Sequence, residues 1–180
     1  MAIEIEKKYR LTMQQRAELL ERLKQTGAQC WGEALEENTL YEGGSIDSSR
    51  SVLRLRRVGE TAMLTYKERL AVDSDAKHQR EEETKISNAD AMRSILEALG
   101  FAARVVYEKR RQTWQLRDTE IVIDELPFGL FLEIEGSEEG IAAAEQELRV
   151  QGLKVEAATY PQLARKLGKV VGDVIEARFG

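Results

Sequence analysis

Like-charged side chains recur along this chain at a spacing of two, alternating with apolar residues, and no other feature constrains the fold so tightly. Residues 2–10 set Glu4, Glu6 and Lys8 against Ile3 and Ile5. Residues 51–58 set Arg54 and Arg56 against Leu53 and Leu55, and their hairpin partner sets Thr65 and Lys67 against Leu64 and Tyr66. Glu81 and Glu83 oppose Ile86, Lys109 and Arg111 stand two apart, Asp124 opposes Ile121 and Ile123, and Glu133 and Glu135 alternate with Leu132 and Ile134. A period of two is strand periodicity. Antiparallel sheets commonly keep one apolar and one solvated face. Like charges aligned on one strand face repel, however, unless opposite charge, metal or ligand neutralises them. A sheet curved into a barrel gathers such faces into one interior and turns its apolar faces outward, where helices must cover them.

The chain supplies those helices. Residues 13–26 carry Leu19, Leu20 and Leu23 on one face, with Thr12 as N-cap and Gly27 as stop. Ser87, with Asp90 three residues on, opens a helix at 89–99 that ends at Gly100, and Ser137 caps another to Val150. Tyr160-Pro161 starts a C-terminal helix that Gly168 breaks before a last segment at 169–178. Turns are expected at Gly59-Glu60 and Arg117-Asp118, a short strand in LEENTLYEG, a loop in VDSDAKHQ and a β-leaning stretch in LKVEAAT. The strand at 80–86 admits two registers. Glu81 and Glu83 face inward if Ile86 takes the helix-covered face, and Arg80 with Glu82 is the alternative inward pair. Arg57 and Arg110 fall on the outward parity. No linker or low-complexity tract appears, so residues 1–180 read as one domain.

Composition excludes several functions. A net charge of −5 argues against a general nucleic-acid binder, which needs a basic surplus. One histidine, His78, rules out multi-His zinc sites and argues against a Ser-His-Asp triad; one cysteine, Cys30, permits no internal disulfide. No apolar run approaches the length of a membrane span, and a cytoplasmic location is expected. His78 reads as a solvated loop residue and Cys30 as a half-buried packing residue. Tyr41, Trp31, Tyr107 and Trp114 offer rings for stacking and read as core or rim. The interior itself would hold two chemistries. Arg54, Arg56, Lys67, Lys109 and Arg111 suit a polyphosphate chain, by forked guanidinium donors and point charges. Glu4, Glu6, Glu81, Glu83, Asp124, Glu133 and Glu135 offer hard oxygen ligands for Mg²⁺ or Mn²⁺. Together they point to metal-assisted phosphoryl chemistry.

Glu4-x-Glu6-x-Lys8 resembles the ExExK signature of the CYTH superfamily, the triphosphate tunnel metalloenzymes. LRLR at 53–56, the TYK ending in Lys67, EEETKI at 81–86, EKRR at 108–111, the IDE containing Asp124 and GLFLEIE at 129–135 follow in the family's order. Thr159-Tyr160 is similar to its C-terminal Ser-Tyr element, with threonine replacing serine. The resemblance implies an α+β fold: an eight-stranded antiparallel β-barrel, or tunnel, with a charged interior and helices packed outside. It further implies that Glu4, Glu6, Glu133 and Glu135 ligate metal, with Asp124, Glu81 and Glu83 assisting or holding a second ion. Lys8, Arg54, Arg56, Lys67, Lys109 and Arg111 would bind the triphosphate.

Members include thiamine triphosphatases, inorganic triphosphatases and class IV adenylate cyclases, so three activities are open. A triphosphatase would direct a metal- or lysine-activated water at a metal-held phosphate. Lys8, beside Glu4 and Glu6, would orient that water or, if neighbouring cations depress its pKa, deprotonate it. An adenylate cyclase would use the ribose 3′-hydroxyl of ATP and release pyrophosphate. A module that binds polyphosphate or nucleotide without turnover would not call for seven acids in one cavity. Water is the smaller demand, and no base pocket is legible, so hydrolysis is the expectation. The partner is then a small-molecule triphosphate, with no nucleic acid and no membrane, and the protein a monomer or homodimer.

Overall fold

In the computed structural model residues 2–70 and 77–180 are described, with side chains for residues 5–70 and 78–180. Eight strands pair in the order β2-β3-β4-β5-β1-β8-β7-β6, and β6 pairs with β2 to close the ring. They are β1 (Ala2–Leu11), β2 (Gln29–Gly43), β3 (Ser51–Val58), β4 (Thr61–Arg69), β5 (Lys77–Ile86), β6 (Phe101–Leu116), β7 (Thr119–Leu126) and β8 (Gly129–Glu135). Every pairing in the ring is antiparallel. A small hairpin, β9 (Lys169–Val171) and β10 (Val174–Ala177), extends the sheet, with β10 lying parallel to β6 at 105–107. The expected barrel is thus the observed one.

Four helices cover the outside: α1 (Met13–Gln25), α2 (Ala89–Ala98), α3 (Glu138–Glu147) and α4 (Tyr160–Leu167). Thr12 and Thr159 begin α1 and α4 with full capping boxes, each side chain answering the glutamine three residues on. The outward apolar parity of β1, β7 and β8 packs on α1 and α3. Leu19, Leu23, Ile121, Ile123, Leu132, Ile134 and Leu148 are all buried in that cluster. On the opposite wall Tyr41, Leu53 and Leu55 pack with Leu96 of α2. Removing these side chains from water stabilises the fold by about 1.5–3 kcal/mol each.

At one end the interior is apolar. Leu40, Val105 and Phe131 point inward there, and α4 closes over them with Tyr160 and Leu163. Phe131 and Tyr160 meet edge to face with ring centroids 5.2 Å apart. The charged interior expected from sequence is therefore confined to the remainder of the barrel. Gly43 lets β2 and β6 meet closely at this end: its φ is +141°, and a Cβ would lie 2.3 Å from Gly100 O.

Local expectations needed correction at several points. LEENTLYEG is the second half of a 15-residue strand whose register shifts between Cys30 and Gly32 and between Leu40 and Tyr41. The bulges permit a strand that long to follow the curving wall. Asn88, not Ser87, caps α2 and accepts from Ala91 N. LKVEAAT makes only an isolated bridge, Tyr9 to Val155. Within VDSDAKHQ, residues 72–76 lie outside the described residues, while β5 already runs from Lys77. His78 belongs to that strand and lies 3.1 Å from Glu138. Cys30 is exposed, and Trp31 is 58% exposed beside it. Tyr41 and Trp114 are buried in the outer core.

Candidate active site

Strand register assembles the site. Glu6 pairs across from Glu135 and Lys8 from Glu133 on β1 and β8, so acids and a cation alternate over both strands. Arg54 pairs with Thr65, Thr65 with Glu83 and Lys67 with Glu81 across β3, β4 and β5. Arg111 pairs with Asp124 across β6 and β7. These inward positions surround a cavity of about 300 Å³ lined by Lys8, Arg54, Arg56, Lys67, Lys109 and Arg111 together with Glu6, Glu81, Glu83, Glu133 and Glu135. Asp124 lies behind that lining, wholly buried. Of the acids expected in the site, Glu4 has its side chain outside the described residues. The register left open in β5 is resolved: Glu81 and Glu83 face the cavity, and Arg80 pairs with Glu82 on the outer surface. Arg57 and Arg110 also point out, toward Asp90 and Glu125.

The acids divide into two groups. Among the described residues, Glu6, Glu133 and Glu135 form a trio whose carboxylate oxygens lie within 4.8 Å of one another. An all-oxygen trio of this kind matches hard divalent cations. Asp124, Glu81 and Glu83 meet donors of the barrel wall. Arg111 donates from Nε to Asp124 Oδ1 at 2.9 Å and from Nη2 to Asp124 Oδ2 at 2.7 Å. Lys109 Nζ donates to Asp124 Oδ2 at 3.2 Å, Lys67 Nζ lies 3.0 Å from Glu81, and Thr65 donates to Glu83 at 2.7 Å. Glu133 belongs to both groups, because Arg111 Nη2 also donates to it at 2.7 Å.

Burial sharpens these interactions. It opposes ionisation of Asp124, yet the Arg111 guanidinium and Lys109 ammonium hold that carboxyl well below the usual carboxylate range. Burial, with Glu6 and Asp124 nearby, pushes Glu133 the other way, despite Arg111 and Lys8. Burial and the adjacent Arg111 push Lys109 down. Several buried donors have no hydrogen-bond partner among the described residues, including Arg54 Nε and Asn38 Nδ2. An unanswered buried donor costs about 1–3 kcal/mol. Of the two, Arg54 lines the cavity, where an anion could answer it.

Sequence reasoning missed three neighbours of the site. Glu36 is 4% exposed and pairs with Arg56, Lys109 and Arg111. Asn38, fully buried, accepts from Arg56 Nε at 3.2 Å. Tyr107, read as core or rim, lines the cavity. Tyr160, singled out only by resemblance, presents its ring to Lys8 Nζ at 4.1 Å from the centroid. Its hydroxyl faces Asp124 without a hydrogen bond of full geometry, and burial with the neighbouring Asp124 and Glu133 raises it well above the ordinary phenol range.

A closed barrel with cations and acids interleaved on its inner wall and helices outside defines a class of charged-tunnel proteins. The chain belongs to the CYTH family, whose domain model matches residues 2–160. A Methanocaldococcus jannaschii protein provisionally named an adenylate cyclase is 29% identical over 136 residues, 74% of this chain and 77% of that protein. A Pyrococcus horikoshii protein of solved structure is 26% identical and superposes with a TM-score of 0.76, covering 91% of this chain and 98% of that one. A Hippeastrum protein provisionally named an adenylyl cyclase and described as having a dominant triphosphatase activity superposes with a TM-score of 0.69 over 96% of this chain and 98% of that one. Its 18% identity speaks for the fold alone. No described helix is long and apolar enough to cross a membrane.

Proposed function

We propose that the protein is a metal-dependent triphosphatase that grips a triphosphate chain inside the barrel and hydrolyses it. One observation carries the reading: six Lys and Arg side chains and the carboxylate trio of Glu6, Glu133 and Glu135 face a single cavity. Cations alone would make an anion site and carboxylates alone a cation site. Their combination matches a polyanion presented together with a divalent metal. Glu6, Glu133 and Glu135, with Glu4 of the same motif, would hold Mg²⁺ or Mn²⁺. The ion supplies charge neutralisation at the phosphate oxygens when bound.

The chain's own residues do the rest. Arg54, with an unanswered Nε, and Arg56 offer forked donors to phosphate oxygens, and Lys67 adds a point charge. Asp124 acts as a positioning residue that fixes the plane of Arg111. Lys8, between the acids of β1 and β8 and over the Tyr160 ring, orients the attacking water. Water adds to phosphorus and releases a proton to solvent, the P–O anhydride bond breaks, and the diphosphate or phosphate fragment leaves with its charge held by the cations. Glu81 and Glu83, whose cations are drawn toward substrate, are the acids available to a second ion.

A second reading, ATP cyclisation, is favoured by the name of the Methanocaldococcus jannaschii relative. The two are separated by incubating the protein with tripolyphosphate, thiamine triphosphate or ATP, each with Mg²⁺ or Mn²⁺. Phosphate release supports the triphosphatase, and cyclic AMP with pyrophosphate supports the cyclase. Binding without product from any of them would reduce the protein to a polyphosphate-binding module.

A further inference from the structure

The cation wall of the main cavity has a carboxylate behind it. Arg56, Lys109 and Arg111 line the cavity, but Glu36, which pairs with all three, does not. Its Oε2 lies 3.3 Å from Arg56 Nε and 3.4 Å from Lys109 Nζ, and its Oε1 lies 3.9 Å from Arg111 Nε. Glu36 instead lines a second recess of about 330 Å³ with Trp31, Ala34, Val58 and Thr113, at the barrel end away from α4. Arg111 lines both spaces. Glu36 and Arg111 are therefore the septum between them.

Resting on the triphosphate reading, we propose that Glu36 is a specificity-determining residue that sets how long a phosphate chain the cavity accepts. A chain lying along Arg54 and Lys67 reaches Arg56, Lys109 and Arg111 with its leading phosphate. One phosphate more would have to occupy the place of the Glu36 carboxylate, or press against it. Two anions in contact inside a water-poor barrel repel strongly. The recess beyond offers little compensation. It adds a second acid, Glu33, and the apolar Val58 and Trp31, while its one cation among the described residues, Arg111, is already held by Asp124 and Glu133. A carboxylate with a merely structural task, neutralising buried cations, would affect chains of every length alike. An end stop affects only those that reach it.

The test is a chain-length series. Tripolyphosphate, tetrapolyphosphate and long-chain polyphosphate are titrated calorimetrically into the full chain and into Glu36→Gln, which keeps the shape and removes the charge. The wild type is expected to bind tripolyphosphate about tenfold more tightly than the longer chains, and Glu36→Gln to erase or invert that preference. Equal fold-changes at every length in the variant would overturn the proposal. Should Glu36→Gln fail to fold, the wild-type series decides alone: affinity rising steadily with chain length would overturn the end stop. Failure of the wild type to bind any of the three would overturn the triphosphate reading, and the end stop with it.

Discussion

Arg111 and Asp124 are joined by two parallel hydrogen bonds, Nε to Oδ1 at 2.9 Å and Nη2 to Oδ2 at 2.7 Å, and Asp124 is wholly buried. A fork this regular fixes the guanidinium plane, which is what a planar phosphate grip needs. The pair is costly to break from one side, because Arg111 would keep its charge at 15% side-chain exposure with only Glu133 and Glu36 of its acidic partners left. Asp124→Asn should destabilise the protein by about 3–5 kcal/mol at neutral pH, read from urea denaturation.

The same pair gives a pH dependence of defined sign. The Asp124 carboxyl is held below its ordinary value of 3.8 in the folded state, so the unfolded chain takes up the proton first. Its contribution is fully present above that ordinary value and is lost as pH falls through the depressed folded one. The stability gap between wild type and Asp124→Asn should stay level from about pH 7 to 5, then narrow by about 1.4 kcal/mol per pH unit below about 4. A gap that held constant into strong acid would show that the fork contributes nothing through ionisation.

The carboxylate trio predicts a different signature. Glu6→Gln or Glu135→Gln removes one oxygen ligand from a group whose atoms lie within 4.8 Å. Mn²⁺ should raise the melting temperature of the wild type, in proportion to the logarithm of its concentration once saturating, and raise that of either variant far less. Turnover should fall by about two orders of magnitude, a loss near 2.7 kcal/mol in the barrier. Unchanged Mn²⁺ stabilisation in both variants would remove these residues from the metal site.

Much of this arrangement was legible in the sequence because the site residues of β1, β3 and β8 alternate cleanly with apolar ones, whereas β5, polar on both parities, admitted two registers. β2 carries no such signal. Glu36, Glu37, Asn38 and Thr39 put polar residues on both parities, and nothing in the sequence distinguishes Glu36, buried among cations, from Glu37, which pairs with Arg178 at the surface. Two bulges further blur the phase of that strand. The signal that would have found Glu36 is relational, namely its register partner Lys109. The apolar end of the interior was visible in part, since Phe131 shares a parity with Glu133 and Glu135. That α4 would cover it follows from tertiary packing and not from any local pattern. The α2 cap was misassigned by one residue because Ser87 and Asn88 are both good capping residues.

Helix-on-barrel packing should be separable from chemistry. Leu23 is fully buried between α1 and the outer face of the barrel and is not among the residues that line the cavity. Leu23→Ala should cost about 2–5 kcal/mol in denaturation experiments, through lost transfer energy and the cavity left behind. Phosphate release per folded molecule should remain at the wild-type level. A loss of turnover without loss of stability would mean that α1 bears on the site.

Inward and outward arginines on one strand offer the sharpest contrast. Arg54 and Arg57 both lie on β3, but Arg54 is 9% exposed, lines the cavity and has an unanswered Nε, whereas Arg57 meets Asp90 at the surface. If Arg54 binds substrate, Arg54→Ala should raise KM for tripolyphosphate by about ten- to a hundredfold, the equivalent of about 1.4–2.7 kcal/mol of binding. Part of any fall in kcat would report the share of that grip realised only in the transition state. Arg57→Ala, removing an exposed pair, should leave KM and kcat near wild type. Steady-state kinetics on both variants decide the matter: similar KM values for the two would mean that Arg54 does not contact the phosphate chain, and the grip would then rest on Lys8, Arg56, Lys67, Lys109 and Arg111.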